Sequence, residues 1–400
     1  MTAARFHNVR RRRYSSVPVL ADAPKKPPRA SSGGARIAPV PELVAELAAG
    51  RMIVLMDDEE RENEGDLVVA AQKVTAQQIN FMLKHARGLV CMPMTEDRLA
   101  RLGLRMMVAE NASPFGTAFT VSIDARAVRN RGITASGRAE TIRRAAEADA
   151  DAGEFVVPGH VFPLRARPGG VLVRTGQTEG AVDLCRLAGL EPAGVICEIL
   201  NPDGTMARLA EIVPFAREHG LKVGTVANII EYRLQTESLV SRIATSRLPS
   251  RFGGEFTAHV YRSSVEDGEH MVLVKGEIDP DRPVLVRAHA EYLPGDVFGY
   301  ARRNTGRLLH AAMERIAAEG VGVILYVRRH GRGAEMLARD EQGPASTNPN
   351  ARLAAFKDYG VGAQILRDIG VRKIRLLTNS PPRLPNISGY GLEVIEVVAL

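Results

Sequence analysis

A chain of 400 residues is long enough for two or three domains with full cores, and its 45 % apolar and 25 % charged residues are those of an ordinary globular protein. No apolar run approaches the roughly twenty residues needed to cross a bilayer, which argues against a transmembrane segment and a membrane partner. The net charge of +7 invites a nucleic-acid partner, but residues 1–36 carry +8 and the rest is −1, which argues against a basic nucleic-acid-binding body.

Residues 1–38 combine the Arg10–Arg13 run with Pro, Ser, Gly and Ala, a composition that predicts a disordered basic tail. Its acid-poor, Arg- and Ser-containing start also suits an organelle transit peptide, although Pro18, Pro24, Pro27 and Pro28 break an amphipathic helix. The globular pattern begins at Pro41 with a helix at about 41–49 and a buried strand, Ile53-Val54-Leu55-Met56. Then comes Asp57-Asp58-Glu59-Glu60-Arg61-Glu62-Asn63-Glu64-Gly65-Asp66, with seven carboxylates and one guanidinium in ten positions. Because Leu67–Ala71 resumes a strand at once, the run reads as a packed loop that needs counter-charge, either divalent cations on oxygen ligands or a phosphorylated substrate gripped by Arg61. The competing reading is a solvated acidic hairpin.

A helix is expected from Thr75, whose side chain suits a cap, then a buried strand at 88–95 and a polar loop at 111–117. A strand follows at 119–123, then a helix at 138–152. His160 lies in Pro158-Gly159-His160-Val161-Phe162-Pro163-Leu164, where a lone His reads as a satisfied core residue or as a catalyst. Val171-Leu172-Val173 reads as a strand turning through Arg174-Thr175-Gly176-Gln177-Thr178-Glu179-Gly180 into a helix, an arrangement that offers backbone N–H groups beside Arg174 to a phosphate. Glu198 in the apolar strand 195–200 needs a partner or a task. Helices at 206–219 and 226–235 close a first domain, 39–237, and 236–250 reads as a polar connection. The second domain, 251–400, alternates strands at 271–277, 283–289, 322–327 and 374–379 with helices near 306–319 and 360–369. The fold class is therefore α/β (α+β), two mixed-sheet domains in tandem after the tail. Cys91, Cys185 and Cys197 show no paired spacing and suit reduced, buried thiols in a cytoplasmic protein.

The acidic decad, Phe115-Gly116-Thr117 with Phe119-Thr120-Val121, the segment 158–166, and Cys197-Glu198-Ile199-Leu200-Asn201 with Asp203–Arg208 together resemble 3,4-dihydroxy-2-butanone 4-phosphate synthases over residues 40–235. The remainder resembles GTP cyclohydrolase II, so the whole resembles the bifunctional riboflavin fusion. The resemblance implies a lyase that takes ribulose 5-phosphate, with magnesium or manganese, to the four-carbon phosphate and formate. It implies metal ligation by Glu62 and at the Gln177 position, and substrate contacts from Arg61, Glu62, Asp66, Arg174, Thr175, Gly176, Gln177, Thr178 and Glu198. Catalytic roles for His160 and Glu198 and a site at a homodimer interface are implied in the same way.

Gln177 stands where the family pattern has a metal-binding histidine; its carbonyl remains an oxygen donor of the kind magnesium favours. The segment Thr134–Gly137, Glu140 and Ala112 also depart from the pattern. In the second domain the three thiolate places of the family's zinc site are Tyr292, Arg303 and Thr305, so no zinc is expected. The Gly331-Arg332-Gly333 turn is retained behind Arg329-His330, while the catalytic Asp and Arg places are Ala355 and Lys357, which predicts a degenerate domain without GTP ring opening. The alternatives are a pseudoenzyme that binds a sugar phosphate or a partner enzyme, and a related lyase acting on another phosphosugar.

Overall fold

The computed structural model describes residues 37–58, 61–113, 115–264, 268–328, 360–379 and 390–400. Residues 1–36 of the basic tail, the Gly331-Arg332-Gly333 turn with Arg329-His330, and Ala355 and Lys357 lie outside them.

The first sheet has seven strands: β1 (Ile53–Met56), β2 (Gly65–Ala70), β3 (Cys91–Met94), β4 (Ile123–Ala125), β5 (Phe155–Arg165), β6 (Gly194–Glu198) and β7 (Lys222–Thr225), in the order β4-β5-β3-β6-β2-β1-β7. Only β1–β7 and β3–β5 pair in parallel. Strand periodicity sends alternate residues to opposite faces. Ile53, Leu55 and Val68 join one core with α1 (Val40–Ala48), α5 (Gln177–Leu187) and α7 (Val226–Thr236). Val54, Met56, Leu67 and Val69 join another with α2 (Ala76–Phe81), α4 (Ala135–Ala146) and α6 (Leu209–Glu218), while α3 (Glu96–Arg101) follows β3. Thr75 caps α2 in a reciprocal box with Gln78, which satisfies end N–H groups worth about 1 kcal/mol.

Among the described residues the second sheet has seven strands: β8 (Val240–Ser250), β9 (Gly254–Ser263), β10 (Glu269–Lys275), β11 (Pro283–Ala290), β12 (Gly322–Val327), β13 (Lys373–Leu377) and β14 (Glu393–Val398), in the order β14-β13-β11-β12-β10-β9-β8. One face packs on α9 (Thr305–Glu319); the other packs on α10 (360–369) and shares its core with α7 of the first domain. The single turn α8 (Leu293–Asp296) follows β11.

Several expected elements are corrected. Residues 236–250 are not a connection throughout: 240–250 form β8, whose exposure on both faces erases the alternation that marks a strand. Val171–Val173 is no strand but lies in a 3₁₀ turn, because Gly169 and Gly170 take φ of 91° and 63°. The helix expected at 138–152 starts at Ala135 behind its Thr134 cap and ends at Ala146. The strand expected at 119–123 contributes only isolated bridges before β4. No described helix is long and apolar enough to cross a membrane.

Candidate active site

The acidic loop leaves the end of β1 and re-enters the sheet at β2, and one of its own carboxylates folds it. Asp57 accepts from the backbone N–H of Glu64 at 2.9 Å and of Glu62 at 3.3 Å, and from Arg61 Nη1 at 2.6 Å. Arg208, ahead of α6, clamps the same loop from outside by donating to the carbonyls of Glu62 and Asn63 at 2.5 and 2.7 Å. The described part of the loop from Arg61 to Asp66 is thus packed rather than a solvated hairpin.

Arg61 is the positive centre of this arrangement. Its guanidinium reaches Glu62 Oε1 at 2.8 Å and Gln177 Oε1 at 3.2 Å, while the Gln177 amide donates to the Glu64 carbonyl at 3.2 Å. The buried Gln177 therefore turns its oxygen to the cation and its NH₂ to the backbone. Glu62 and Gln177 converge as hard oxygen donors on one cationic position, which is donor chemistry that fits magnesium or manganese. Burial, with the carboxylates of Asp57 and Glu198 nearby, raises Glu62 above the usual carboxylate range against the pull of Arg61 and Arg174, and burial likewise raises Glu64.

Asp66 and Glu198 are direct cross-strand partners in the β2–β6 register. Like charges directly opposite oppose each other, and burial adds to this: first burial, then Glu198, Glu64, Asp57 and Glu62 hold the Asp66 carboxyl well above its ordinary value. Glu198 Oε2 accepts the Leu89 N–H at 2.8 Å, an approach that requires Gly88, since a Cβ there would lie 2.6 Å from Oε2 and 2.4 Å from the Glu198 carbonyl. Cys91 and Cys197 are free and buried beside these carboxylates, and burial pushes both thiols up. Cys185 is pushed up to about 12 by the same cause.

His160 is not a core residue: its side chain is 46 % exposed and its Nδ1 lies 2.6 Å from Asp124 Oδ2 on β4. Asp124 Oδ1 also accepts the His160 backbone N–H at 3.0 Å, so one carboxylate sets both ring and backbone. Among the described residues no hydrogen bond or ion pair links this pair to the Arg61–Glu62–Gln177 group. Arg174 bonds Glu179 at 2.7 Å and the Phe115 carbonyl at 3.1 Å, and Arg61 lies 5.6 Å over the Phe115 ring. Thr175 and the helix-capping Gly176 lead into α5, whose first turn has no side-chain cap, so the N–H groups at Gln177 and Thr178 face outward from the helix end beside Arg174.

Asp57, Asp124, Glu179 and Arg208 are structural partners that the sequence reading did not single out. Asp124 carried the same signal as Glu198, a carboxylate inside an apolar strand.

Residues 41–232 match the family profile of 3,4-dihydroxy-2-butanone 4-phosphate synthase, and 241–399 that of GTP cyclohydrolase II. The riboflavin biosynthesis protein RibBA of Aquifex aeolicus is 48 % identical over 373 residues, covering 90 % of this chain and 92 % of its own length. RibBA of Bacillus cereus is 47 % identical over 370 residues, covering 90 % and 93 %. The chain belongs to this riboflavin biosynthesis family. The homologues of its first domain are lyases of riboflavin biosynthesis. The crystal structure of RibBX, described as a two-domain 3,4-dihydroxy-2-butanone 4-phosphate synthase from A. baumannii, superposes with a TM-score of 0.74 at 41 % identity, covering 91 % of this chain and 99 % of that one.

The second domain holds a different carboxylate centre. Asp296 Oδ1 accepts from His289 Nε2 at 2.9 Å and Thr305 Oγ1 at 2.5 Å; Oδ2 accepts from the Tyr292 N–H at 2.9 Å and Tyr326 OH at 2.8 Å. Arg303 lies 4.6 Å over the Tyr292 ring. Burial would raise Asp296, but the hydrogen bonds from His289, Thr305 and Tyr326 outweigh it and hold the carboxyl below its usual range. Tyr292, Arg303 and Thr305 thus supply a phenol ring, a guanidinium and a hydroxyl, and two of these residues close around one satisfied carboxylate.

Proposed function

We propose that the first domain converts ribulose 5-phosphate to 3,4-dihydroxy-2-butanone 4-phosphate and formate, with magnesium or manganese. The observation that carries this reading is the convergence of Glu62 and Gln177 oxygens on one cationic centre beside the Asp66–Glu198 pair. Glu62 and Gln177 would hold the metal, which polarises a carbonyl and stabilises an enediolate when bound. Arg174, Thr175 and the outward N–H groups at the start of α5 grip the phosphate. Arg61 moves off the metal donors to meet the substrate hydroxyls. Asp66, which burial and its carboxylate neighbours favour in the protonated form, and Glu198 opposite it are the carboxyl pair placed to exchange protons with the substrate. His160, oriented through Nδ1 by Asp124, moves protons at Nε2.

A homodimer in which a second copy completes the site follows from the family resemblance and is compatible with the lack, among the described residues, of a hydrogen bond or ion pair between His160–Asp124 and the Glu62 group. Residues 39–237 form the synthase domain, and 251–400 with strand β8 form the second, after a tail over 1–38. The second domain lacks zinc and GTP ring opening, a reading supported by Tyr292, Arg303 and Thr305 at the thiolate places and by a two-domain relative described for the synthase alone. Free, buried thiols suit a cytoplasmic protein.

The second reading, a binder without turnover, is favoured by one observation: both ends of the Gln177 amide are already engaged, by Arg61 and the Glu64 carbonyl. Formate release from ribulose 5-phosphate with magnesium, in the natural protein and in Gln177→His, separates the two. Activity in both is expected. Activity only in the His variant would identify the natural chain as a binder or as a lyase for another phosphosugar, and one zinc per chain in the same sample would overturn the account of the second domain.

A further inference from the structure

The Arg174 turn is braced from a direction that neither the site chemistry nor the family resemblance explains. Asp183 on α5 accepts the Val171 N–H at 2.9 Å, and Arg233 on α7 donates from Nη1 to Asp183 Oδ2 at 2.6 Å and to the Gly169 carbonyl at 2.8 Å. Both side chains are 5 % exposed. The fit is tight: a Cβ on Gly170, which takes φ of +63°, would fall 2.3 Å from both Asp183 carboxylate oxygens. The Gly170 carbonyl in turn accepts the backbone N–H of Val173 at 2.9 Å and of Arg174 at 3.1 Å. Position is thereby passed from α7 through Arg233 and Asp183 to the backbone that carries Arg174.

Arg233 is itself set by the end of α7. Glu237 takes its Nε and Nη2 in a fork, each at 2.9 Å, and also holds Arg186 at 2.8 Å. The end of α7 is closed by the second domain. Gln364 on α10 donates from Nε2 to the carbonyls of Leu234 at 2.6 Å and Glu237 at 2.9 Å, and its Oε1 accepts the Leu239 N–H at 2.8 Å. Two helix-end carbonyls and the Leu239 N–H just beyond them have one amide as their common partner, and a flipped amide would face all three with the wrong atoms. Leu234, Leu239 and Ile365 belong to one continuous apolar core there, so the contact is a packed joint.

We propose that the second domain serves the first as a brace, with Gln364 and Arg233 as positioning residues for the Arg174 turn and hence for the substrate's phosphate. This rests on reading that turn as the phosphate grip. Neither residue touches substrate. Their loss is expected to weaken capture of the phosphosugar while the reacting groups stay where they are.

The test uses full-length protein with four chains: natural, Gln364→Met, Arg233→Lys and Asp368→Asn. Asp368 lies one turn from Gln364 on α10 and bonds Arg242 and Tyr261 inside the second domain, so its variant loosens that domain without touching α7. Ribulose 5-phosphate affinity is read by calorimetry, and KM and kcat by formate release. The expected result is a loss of affinity of about three- to tenfold in Gln364→Met, the weight of one or two neutral hydrogen bonds, and at least as large a loss in Arg233→Lys, whose bonds are to carboxylates, with kcat within about twofold and Asp368→Asn unchanged. Natural affinity in Gln364→Met, or an equal loss in Asp368→Asn, overturns the brace. If the natural chain binds the sugar phosphate without releasing formate, the brace is still read from affinity while the proposed reaction fails. A chain that turns over normally with Gln364 removed leaves the reaction and sinks the brace, and a natural chain that neither binds nor reacts sinks both.

Discussion

The two domains each bury a carboxylate at a sheet end, and they treat it in opposite ways. Around Asp66 the first domain gathers Asp57, Glu62, Glu64 and Glu198 and raises Asp66, Glu62 and Glu64 above their ordinary range. In the second domain Asp296 has four donors to itself and is held below that range. A surplus of carboxylates over donors leaves charge that protonation, a neighbouring arginine, a cation or a substrate can balance. A carboxylate with all its lone pairs taken is finished, and nothing remains for a ligand to supply. The difference separates a site from a clasp without reference to activity.

The largest effect is expected at His160, to which the proposed reaction assigns a proton transfer. His160→Ala should lower formate release by about two to four orders of magnitude, with a native far-UV circular dichroism spectrum. Asp124→Ala should act in the same direction, because the ring then loses the 2.6 Å contact that sets its tautomer. Full turnover in His160→Ala would show that protons move elsewhere and would remove this pair from the site.

The clasp should fail by unfolding, not by inactivity. Asp296→Ala leaves the hydroxyls of Thr305 and Tyr326, the ring of His289 and the Tyr292 N–H without their acceptor, which should cost the second domain about 3–5 kcal/mol in denaturant unfolding. Well below the new transition temperature, kcat for formate release should be unchanged. Loss of kcat with intact stability would mean that Asp296 belongs to a site after all, and the contrast between the domains would collapse.

Legibility followed the same division. Strands β1, β2, β3, β6 and β12 were visible as apolar runs, because a sheet covered on both faces leaves few polar residues to disguise it. Strand β8 was not, because seven successive residues from Ser241 to Arg247 are exposed and look like a connection. The 170–173 turn was misread for a local reason: Val171 and Leu172 are buried like strand residues, and only the positive φ of Gly169 and Gly170 breaks the ladder. The acidic loop announced itself through charge density, and Glu198 through its apolar neighbours. Arg208 and Gln364 were hidden because they act on residues 146 and 130 positions away, which no local pattern records.

The smallest effect is the most diagnostic of the comparison, because it measures the surplus charge directly. Asp66 has a folded-state range above its unfolded value, so the fold favours the protonated form. Its contribution is fully present below the unfolded value near about pH 4 and is lost as pH rises through the folded one. Asn at this position matches the protonated carboxyl in shape and has no proton to lose. The melting temperature of Asp66→Asn relative to the natural chain should therefore climb by a few degrees from about pH 5 to about pH 8.5. Asp296, held low, has the opposite dependence: its contribution persists above the unfolded value and disappears only in acid, so an Asp296→Asn difference should be flat across that window. A flat Asp66→Asn difference would mean that a bound cation or Arg61 already neutralises the cluster. Repeating the scan with a chelator, and then with added magnesium, would distinguish these, since magnesium alone should flatten a slope that the surplus of carboxylates creates.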